Sequence, residues 1–198
     1  IGACGGVIGA AYNGINQFTT NARKAFFLGK DRKWKILEAS IFMTVLMTIF
    51  FFLPMLFGCR TKPEEASSGA HHGDSFHGIY YVQYNCHHDE YNEMATLLLT
   101  PQETTILQLY SRGTAGYFSV KTLIIFFFFF FTSAVTSYGL CVPAGLFIPS
   151  MMIGAGFGRC IGEFLVSAGM EKVDPGIYAL VGAASVLGGV TRMKISLT

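Results

Sequence analysis

The chain has 198 residues, of which 52% are hydrophobic and 13% charged, and its mean hydropathy is +0.46. A soluble domain usually carries about a quarter charged residues, so the composition favours a membrane protein. The formal net charge of +2, without a basic stretch that carries interleaved aromatic residues, argues against nucleic-acid binding.

The first predicted element is an apolar, glycine-interrupted helix over Ile1 to Phe18. Small residues repeat along it at four-residue spacing, pairing Gly2 with Gly6 and Gly5 with Gly9. Such stripes let helices in lipid pack backbone to backbone. Two asparagines at its end, Asn13 and Asn16, either cap or cross-link neighbouring helices or lie exposed at the interface. Because the chain opens and ends inside apolar runs, we expect a piece of a larger membrane domain.

Two long apolar segments, Ile36 to Phe57 and Phe118 to Val142, are each predicted to span a membrane. A helix crosses the hydrocarbon core in about 20 residues. A basic loop precedes the first span, with Arg23, Lys24, Lys30, Arg32, Lys33 and Lys35 against Asp31. The positive-inside rule places this loop in the cytosol and the 58–117 connection on the opposite, extracytosolic side.

The extracytosolic loop at 58–117 contains Cys59 and Cys86. In an oxidising compartment these two cysteines form a disulfide, which stabilises the folded loop by on the order of 3 kcal/mol. The alternative is two free thiols. The other cysteines lie in apolar segments and are predicted to be small buried hydrophobes: Cys4, Cys141 and Cys160. Short helical pieces between residues 91 and 110 are expected to follow the membrane surface.

All five histidines lie in the same loop: His71, His72, His77, His87 and His88. Such a cluster can bind zinc or respond to pH, because imidazole is a common metal ligand and titrates near neutrality. The spacing matches no closed zinc motif, and the alternative is a solvated loop. We therefore predict no metal and no cofactor.

A broken helix is predicted at Gly145-Leu146-Phe147-Ile148-Pro149-Ser150. Proline is tolerated in the first helical turn, so the helix is expected to begin near Pro149. The free amides around Phe147 and Ile148 then lie at the positive end of a helix dipole, where they can hold an anion without a fixed positive charge. The alternative is a simple break between a loop and a helix. The predicted anion-binding residues are Gly145, Leu146, Phe147, Ile148 and Pro149.

The helix after Pro149 carries a second ladder of glycines, Gly154, Gly158 and Gly162, which indicates close packing in a dense bundle. Arg159 and Glu163 lie four residues apart on it. They form an ion pair, contact lipid headgroups or line an ion vestibule. Together the segments predict an all-α integral membrane fold, a many-helix bundle with broken, tilted helices.

The chain resembles the CLC family of chloride channels and chloride/proton exchangers. The resemblance lies in the 145–150 run, which matches the Gly-x-Phe-x-Pro anion motif of that family, and continues through residues 153–159. It extends to residues 137–140, 178–184 and 187–193, and residues 5–13 resemble a helix at the family's dimer interface. Residues 1–198 therefore resemble part of a CLC transmembrane domain.

The resemblance implies transport of chloride or a similar anion. It also implies a homodimer whose subunits contact each other through the helix that contains Gly5, Gly6 and Gly9. Cys59, Cys86 and the 90–95 stretch resemble the endosomal, lysosomal or vacuolar branch, which implies exchange against protons across an acidic organelle membrane. A voltage-gated chloride channel is the alternative. The family's serine and gating-glutamate segments are expected upstream of residue 1, and its pore tyrosine downstream of Thr198. Lys194 departs from the small polar residue that the resemblance leads us to expect.

Two other classes of function remain open. A membrane-embedded enzyme requires a catalytic partner near Ser150, and the apolar segments contain no histidine, so we expect no enzyme. A lumenal metal- or pH-sensing module on a membrane anchor requires the histidines of residues 71–88 to converge.

Overall fold

The computed structural model describes residues 1–28, 32–61, 80–87, 90–170 and 173–192. These ranges are mostly helical, as predicted, with a single two-stranded antiparallel ladder. In chain order the elements are α1 (Gly2–Phe26), α2 (Arg32–Phe52), a 3₁₀ turn (Leu53–Leu56), β1 (Cys59–Thr61), β2 (Glu90–Asn92), α3 (Glu93–Leu98), α4 (Gln102–Tyr110), α5 (Val120–Ser137), α6 (Phe147–Ser167) and α7 (Pro175–Thr191).

Two helical stretches are long and apolar enough to cross a membrane, and both correspond to the predicted spans. They are Lys33–Leu56, with mean hydropathy 2.2, and Val120–Ser137, with mean hydropathy 1.8. The second ends five residues before the predicted Val142, because Gly139 adopts a positive φ of 103° that an α-helix does not contain. Almost none of the apolar surface of Lys33–Leu56 is buried within the described chain.

The first helix is longer than predicted. It continues to Phe26, so Arg23 and Lys24 belong to its last turn rather than to a loop. Cations are favourable at that position because the carbonyl end of a helix carries partial negative charge. The prediction that Asn13 and Asn16 cross-link helices is confirmed: Asn13 donates to the Val190 carbonyl at 3.1 Å, and Asn16 to the Val135 and Tyr138 carbonyls.

The centre of the bundle is a three-helix layer in which α7 packs between α1 and α6. Gly9 of α1 meets the backbone of Gly189 so closely that a Cβ on Gly9 would lie 2.5 Å from the Gly189 carbonyl carbon. Gly5 likewise faces Ser185. The face of α1 that carries Gly5 and Gly9 is therefore covered by α7 of the same chain, and the predicted homodimer contact through the helix that contains Gly5, Gly6 and Gly9 stays a prediction.

The connection at 58–117 is not a simple loop. Its elements β1, β2, α3 and α4 form a packed unit that we call the cap. Strands β1 and β2 pair with Arg60 opposite Tyr91, and α3 follows β2 directly. Short helices are present between residues 91 and 110, as predicted, and every residue of α3 is buried among other elements. The reason is that α3 packs on the 3₁₀ turn, α4 and α5 at once.

Candidate anion site

The predicted anion-binding run lies at the start of α6, but the helix begins two residues earlier than predicted. Phe147 is its first residue and Leu146 the N-cap, and the first helical bond runs from the Ser150 amide to the Leu146 carbonyl at 3.2 Å. Pro149 is therefore the third residue of the helix. The helix accommodates it there because none of the amides in the first turn has an intrahelical acceptor.

Two backbone donors remain unpaired at this end of α6. No side chain caps the helix, and within the described ranges neither the Phe147 amide nor the Ile148 amide donates to a protein acceptor. Pro149 has no amide hydrogen, so the two free donors are neighbours in the sequence. They lie at the positive end of a 21-residue helix, which is the arrangement that attracts anions.

The surroundings of these donors are open on this chain. Phe147 is 53% exposed and Ile148 39% exposed, and no atom lies within 4 Å of the position that a Cβ on Gly145 would take. A ligand or another part of the protein can therefore approach the backbone here without displacing a described side chain. Leu146 is half-buried and packs against the core, which holds the helix start in place.

Ser150 follows the run directly, and its hydroxyl is engaged within the first turn of α6. Its side chain is buried, and its hydroxyl donates to the Leu146 and Phe147 carbonyls, both at 2.8 Å. Its hydrogen bonds therefore stabilise the first turn of α6. Within the described ranges, no histidine or carboxylate accepts a hydrogen bond from it.

The direction of α6 is fixed by a seam of glycines against α7. A Cβ on Gly154 would lie 2.5 Å from the Gly182 carbonyl oxygen, and one on Gly162 would lie 2.7 Å from the Pro175 Cα. Gly158 meets the backbone of Tyr178 and Ala179 in the same way. The predicted close packing is confirmed. It holds the two helix backbones in contact and so sets where the free amides point.

Arg159 anchors the far half of α6 to the cap in the 58–117 connection. Its side chain is fully buried, and its two terminal nitrogens donate to the Gln108, Leu109 and Thr114 carbonyls at 2.8 to 2.9 Å. The guanidinium also lies 5.0 Å from the centre of the Phe118 ring. Contact with lipid headgroups and a place in an ion vestibule are therefore both wrong for Arg159, because α4 and the loop after it enclose the charge.

The predicted pair of Arg159 with Glu163 forms, although it is long. The Arg159 Nε and Glu163 Oε1 atoms are 3.7 Å apart, while the other carboxylate oxygen accepts from the Gly116 amide at 2.9 Å. Sequence spacing identified this pair but not the backbone partners. Those lie 45 to 51 residues away in the chain, and no local pattern marks them.

The cap itself is cross-linked in two ways. The predicted disulfide between Cys59 and Cys86 is formed, with the Cα atoms 5.8 Å apart. Glu93 accepts from the Arg60 guanidinium at 2.6 Å and, through its other oxygen, from the Ser119 amide and the Thr122 hydroxyl at 2.8 Å. The hydrogen bond with Glu93 is the main reason that the pKa of Arg60 is raised. Glu93 therefore joins β1 to the start of α5.

The other cysteines and the histidines contribute no ligand set in the described ranges. Cys4 and Cys141 are exposed and Cys160 is half-buried, so the prediction that all three are buried is wrong. The one cluster with metal-ligand chemistry is Cys59, Cys86 and Glu90, where the disulfide consumes both thiols. His87 is exposed, and His71, His72, His77 and His88, like Lys194, lie outside the described residues.

Comparison with known proteins finds matches along the whole chain. A family model described as "Voltage gated chloride channel" matches residues 1–198. The chain is 38% identical to chloride channel protein CLC-d of Arabidopsis thaliana and 35% identical to H(+)/Cl(-) exchange transporter 7 of Mus musculus. Each comparison covers 100% of this chain but only 25% and 23% of the relative, so the chain spans about a quarter of their length.

The fold is also similar to a solved structure. A crystal structure of a eukaryotic CLC transporter superposes with a TM-score of 0.59 at 27% identity. The superposition covers 96% of this chain and 25% of the other. The described helices therefore have the arrangement of one part of that transporter.

Proposed function

The chain belongs to the voltage-gated chloride channel family, and on that premise we propose that it forms one wall of a transmembrane pathway for chloride or a similar anion. The relatives are named as channels and exchange transporters, and at the family level the protein is an integral membrane protein and not an enzyme. The proposal assigns the anion site to the start of α6, with Gly145, Leu146 and Pro149 shaping the backbone around it.

One observation carries this proposal: the Phe147 and Ile148 amides are unpaired at the positive end of α6. A transport site must bind its ion well enough to admit it and weakly enough to release it. Neutral amides at a helix end meet both demands better than a lysine or arginine, since they offer partial rather than full charge. Arg159 is a full positive charge on the same helix, but it is buried against backbone carbonyls of α4.

For the coupled ion we propose a proton, so that the protein exchanges chloride against protons. The mouse relative named as an H(+)/Cl(-) exchange transporter supports exchange, whereas the name of the Arabidopsis relative supports a channel, which is the alternative. For the location we propose an endosomal, lysosomal or vacuolar membrane. The formed Cys59–Cys86 bond supports an oxidising space outside the cytosol for the cap.

For the assembly we propose a homodimer that uses the free face of α1. The stripe through Gly5 and Gly9 packs on α7, whereas Val7 and Phe18 on the other side are 69% and 75% exposed. A second copy of the protein covering this side would bury large apolar side chains that α7 does not reach.

The proposal is tested by transport measurements on the intact protein reconstituted in vesicles. Phe147→Ala is expected to loosen anion selectivity and Pro149→Leu to disturb the helix start and lower chloride flux. Phe164→Ala is the matched control, because Phe164 is an exposed phenylalanine on the same helix, far from its start. Unchanged selectivity and flux in a protein with both changes at 147 and 149 would contradict the site.

Exchange and channel conduction are separated in the same vesicles. For an exchanger, a chloride gradient drives protons uphill, and the proton flux stops when chloride is removed. Chloride flux without any coupled proton movement would leave the anion pathway intact and replace exchange by the channel alternative.

A further inference from the structure

A cleft with three cationic side chains lies at the predicted cytosolic end of the bundle, and none of its lining residues belongs to the 145–149 run. It is a space of about 600 Å³ between the end of α1, the start of α2 and the connection from α5 to α6. Its cations are Arg23, Lys24 and Lys35, and its acidic residue is Glu38. We call this space the basic cleft. Its size falls within the range of small-molecule sites, and its lining has an excess of positive charge.

The Arg23 side chain is held in place at the bottom of the basic cleft. Its Nε atom lies 2.9 Å from Glu38 Oε1, and its Nη2 atom donates to the Thr136 carbonyl at 2.7 Å. The remaining nitrogen, Nη1, is buried without an acceptor among the described residues. A buried donor that lacks an acceptor is costly, so an oxygen that reached it would add stability.

Gly139 brings the backbone of the α5–α6 connection close to this nitrogen at the wall of the cleft. Gly139 lines the cleft with a positive φ of 103°, and a Cβ at this position would lie 2.8 Å from the Thr20 hydroxyl and 3.7 Å from Arg23 Nη1. Glycine therefore lets this backbone pass close to Thr20 and Arg23. Any other residue would collide with the Thr20 hydroxyl and strain the backbone.

Lys24 and Lys35 supply mobile charge at the rim, since both side chains are exposed. Glu38 is already paired with Arg23, so the charge of the two lysines is not neutralised within the lining. Phe27, Leu28 and Leu140 add apolar surface beside them. This combination of charged rim and apolar wall suits a molecule that has an anionic head and an apolar body.

The predicted topology places the cleft at the level of lipid headgroups. The apolar run of α2 begins directly after Lys35, and the adjacent Trp34 is 54% exposed, as is typical of tryptophan at a membrane interface. On the cytosolic side the leaflet is anionic, and basic pockets between transmembrane helices there bind phosphorylated headgroups. We propose that the basic cleft binds a phosphate monoester, carried by a lipid of the cytosolic leaflet or by a soluble molecule.

The test measures binding to the intact protein in nonionic detergent at physiological salt. The lipid probe is dioctanoyl phosphatidic acid, and the soluble probes are glycerol 3-phosphate and inorganic phosphate. Each of Lys24→Gln and Lys35→Gln is expected to raise the dissociation constant of the lipid probe about five-fold, because a lysine near the membrane surface contributes about 1 kcal/mol.

Lys33→Gln is the matched control. Lys33 is an exposed lysine two residues before Lys35 on α2, so it projects about 200° away around the helix, and it does not line the cleft. This change is expected to alter the dissociation constant by less than about two-fold. An equal loss for Lys33→Gln and Lys35→Gln, or no binding of any probe to the unmodified protein, would overturn the proposal.

The soluble probes separate the two sources of the phosphate. Binding of dioctanoyl phosphatidic acid that is at least about ten-fold tighter than binding of glycerol 3-phosphate identifies a lipid, since the apolar wall then contributes. Equal affinities, both weakened by Lys35→Gln, identify a soluble phosphate ester at the same cleft.

Discussion

At the residue scale, the start of α6 depends on a few backbone atoms that the sequence locates only approximately. The proline and glycine of the 145–150 run predict that the helix begins near Pro149, and it begins two residues earlier, at Phe147. The difference arises because a proline fits any position of the first turn, where no amide has an intrahelical acceptor. The hydrogen bonds from the Ser150 hydroxyl to the Leu146 and Phe147 carbonyls stabilise a helix that begins at Phe147. No sequence pattern predicts these bonds.

The glycine seam makes a direct prediction about stability. Gly158→Ala places a methyl group against the backbone of Tyr178 and Ala179, and we expect it to cost about 1 to 3 kcal/mol of stability. Gly14→Ala in α1 is the matched control, since no atom lies within 4 Å of its Cβ position and alanine favours a helix by about 1 kcal/mol. Thermal unfolding of the two intact variants measures the difference. Equal melting temperatures would mean that α6 and α7 are not in backbone contact.

Glu93 makes a second prediction at this scale. Glu93→Ala leaves the Arg60 guanidinium, the Ser119 amide and the Thr122 hydroxyl without their acceptor, and we expect a loss of about 2 kcal/mol. Glu103→Ala removes an exposed carboxylate from the first turn of α4, and there we expect a loss below about 1 kcal/mol. Chemical denaturation of the intact variants decides between them. The role of Glu93 is refuted when both variants unfold at the same denaturant concentration.

At the element scale, the long apolar helices were predictable from the sequence, and the packed cap was not. The apolar lengths of α2 and α5 and the four-residue glycine spacing on α6 are local patterns that map directly onto helices. The cap depends on contacts between residues far apart in the chain, such as Arg159 with Thr114 and Glu93 with Arg60. Short buried helices such as α3 also lack the periodicity that marks longer ones.

The disulfide gives a prediction for the cap as an element. Replacing both Cys59 and Cys86 by serine removes the covalent link between β1 and the segment before β2, and we expect a loss on the order of 3 kcal/mol. Cys141→Ser is the control, because Cys141 is an exposed free thiol. Protease digestion of the intact protein, with and without reductant, follows opening of the cap. Identical digestion of the double variant and the control would show that the bond does not hold the cap closed.

At the scale of the whole molecule, the chain matches about a quarter of the length of relatives that are named as channels and exchange transporters. On the proposed function, the other elements around an anion at the start of α6 would correspond to parts of those relatives that this chain does not match. The family was predictable from the Gly-x-Phe-x-Pro run and its neighbours. Which face of α1 remains free was not, because the same glycine stripe serves packing within a chain or between chains.

The central claim is that the Phe147 and Ile148 amides bind the transported anion, and replacing an amide by an ester tests it at a single atom. In the intact protein, an ester at either position removes one donor and leaves both side chains in place. We expect chloride affinity, measured by calorimetry, to fall at least about ten-fold, since a hydrogen bond to a charged group contributes about 1.5 to 3 kcal/mol. An ester at Ser150, whose amide already bonds the Leu146 carbonyl, is expected to leave affinity unchanged. Unchanged affinity with esters at both 147 and 148 would contradict the claim.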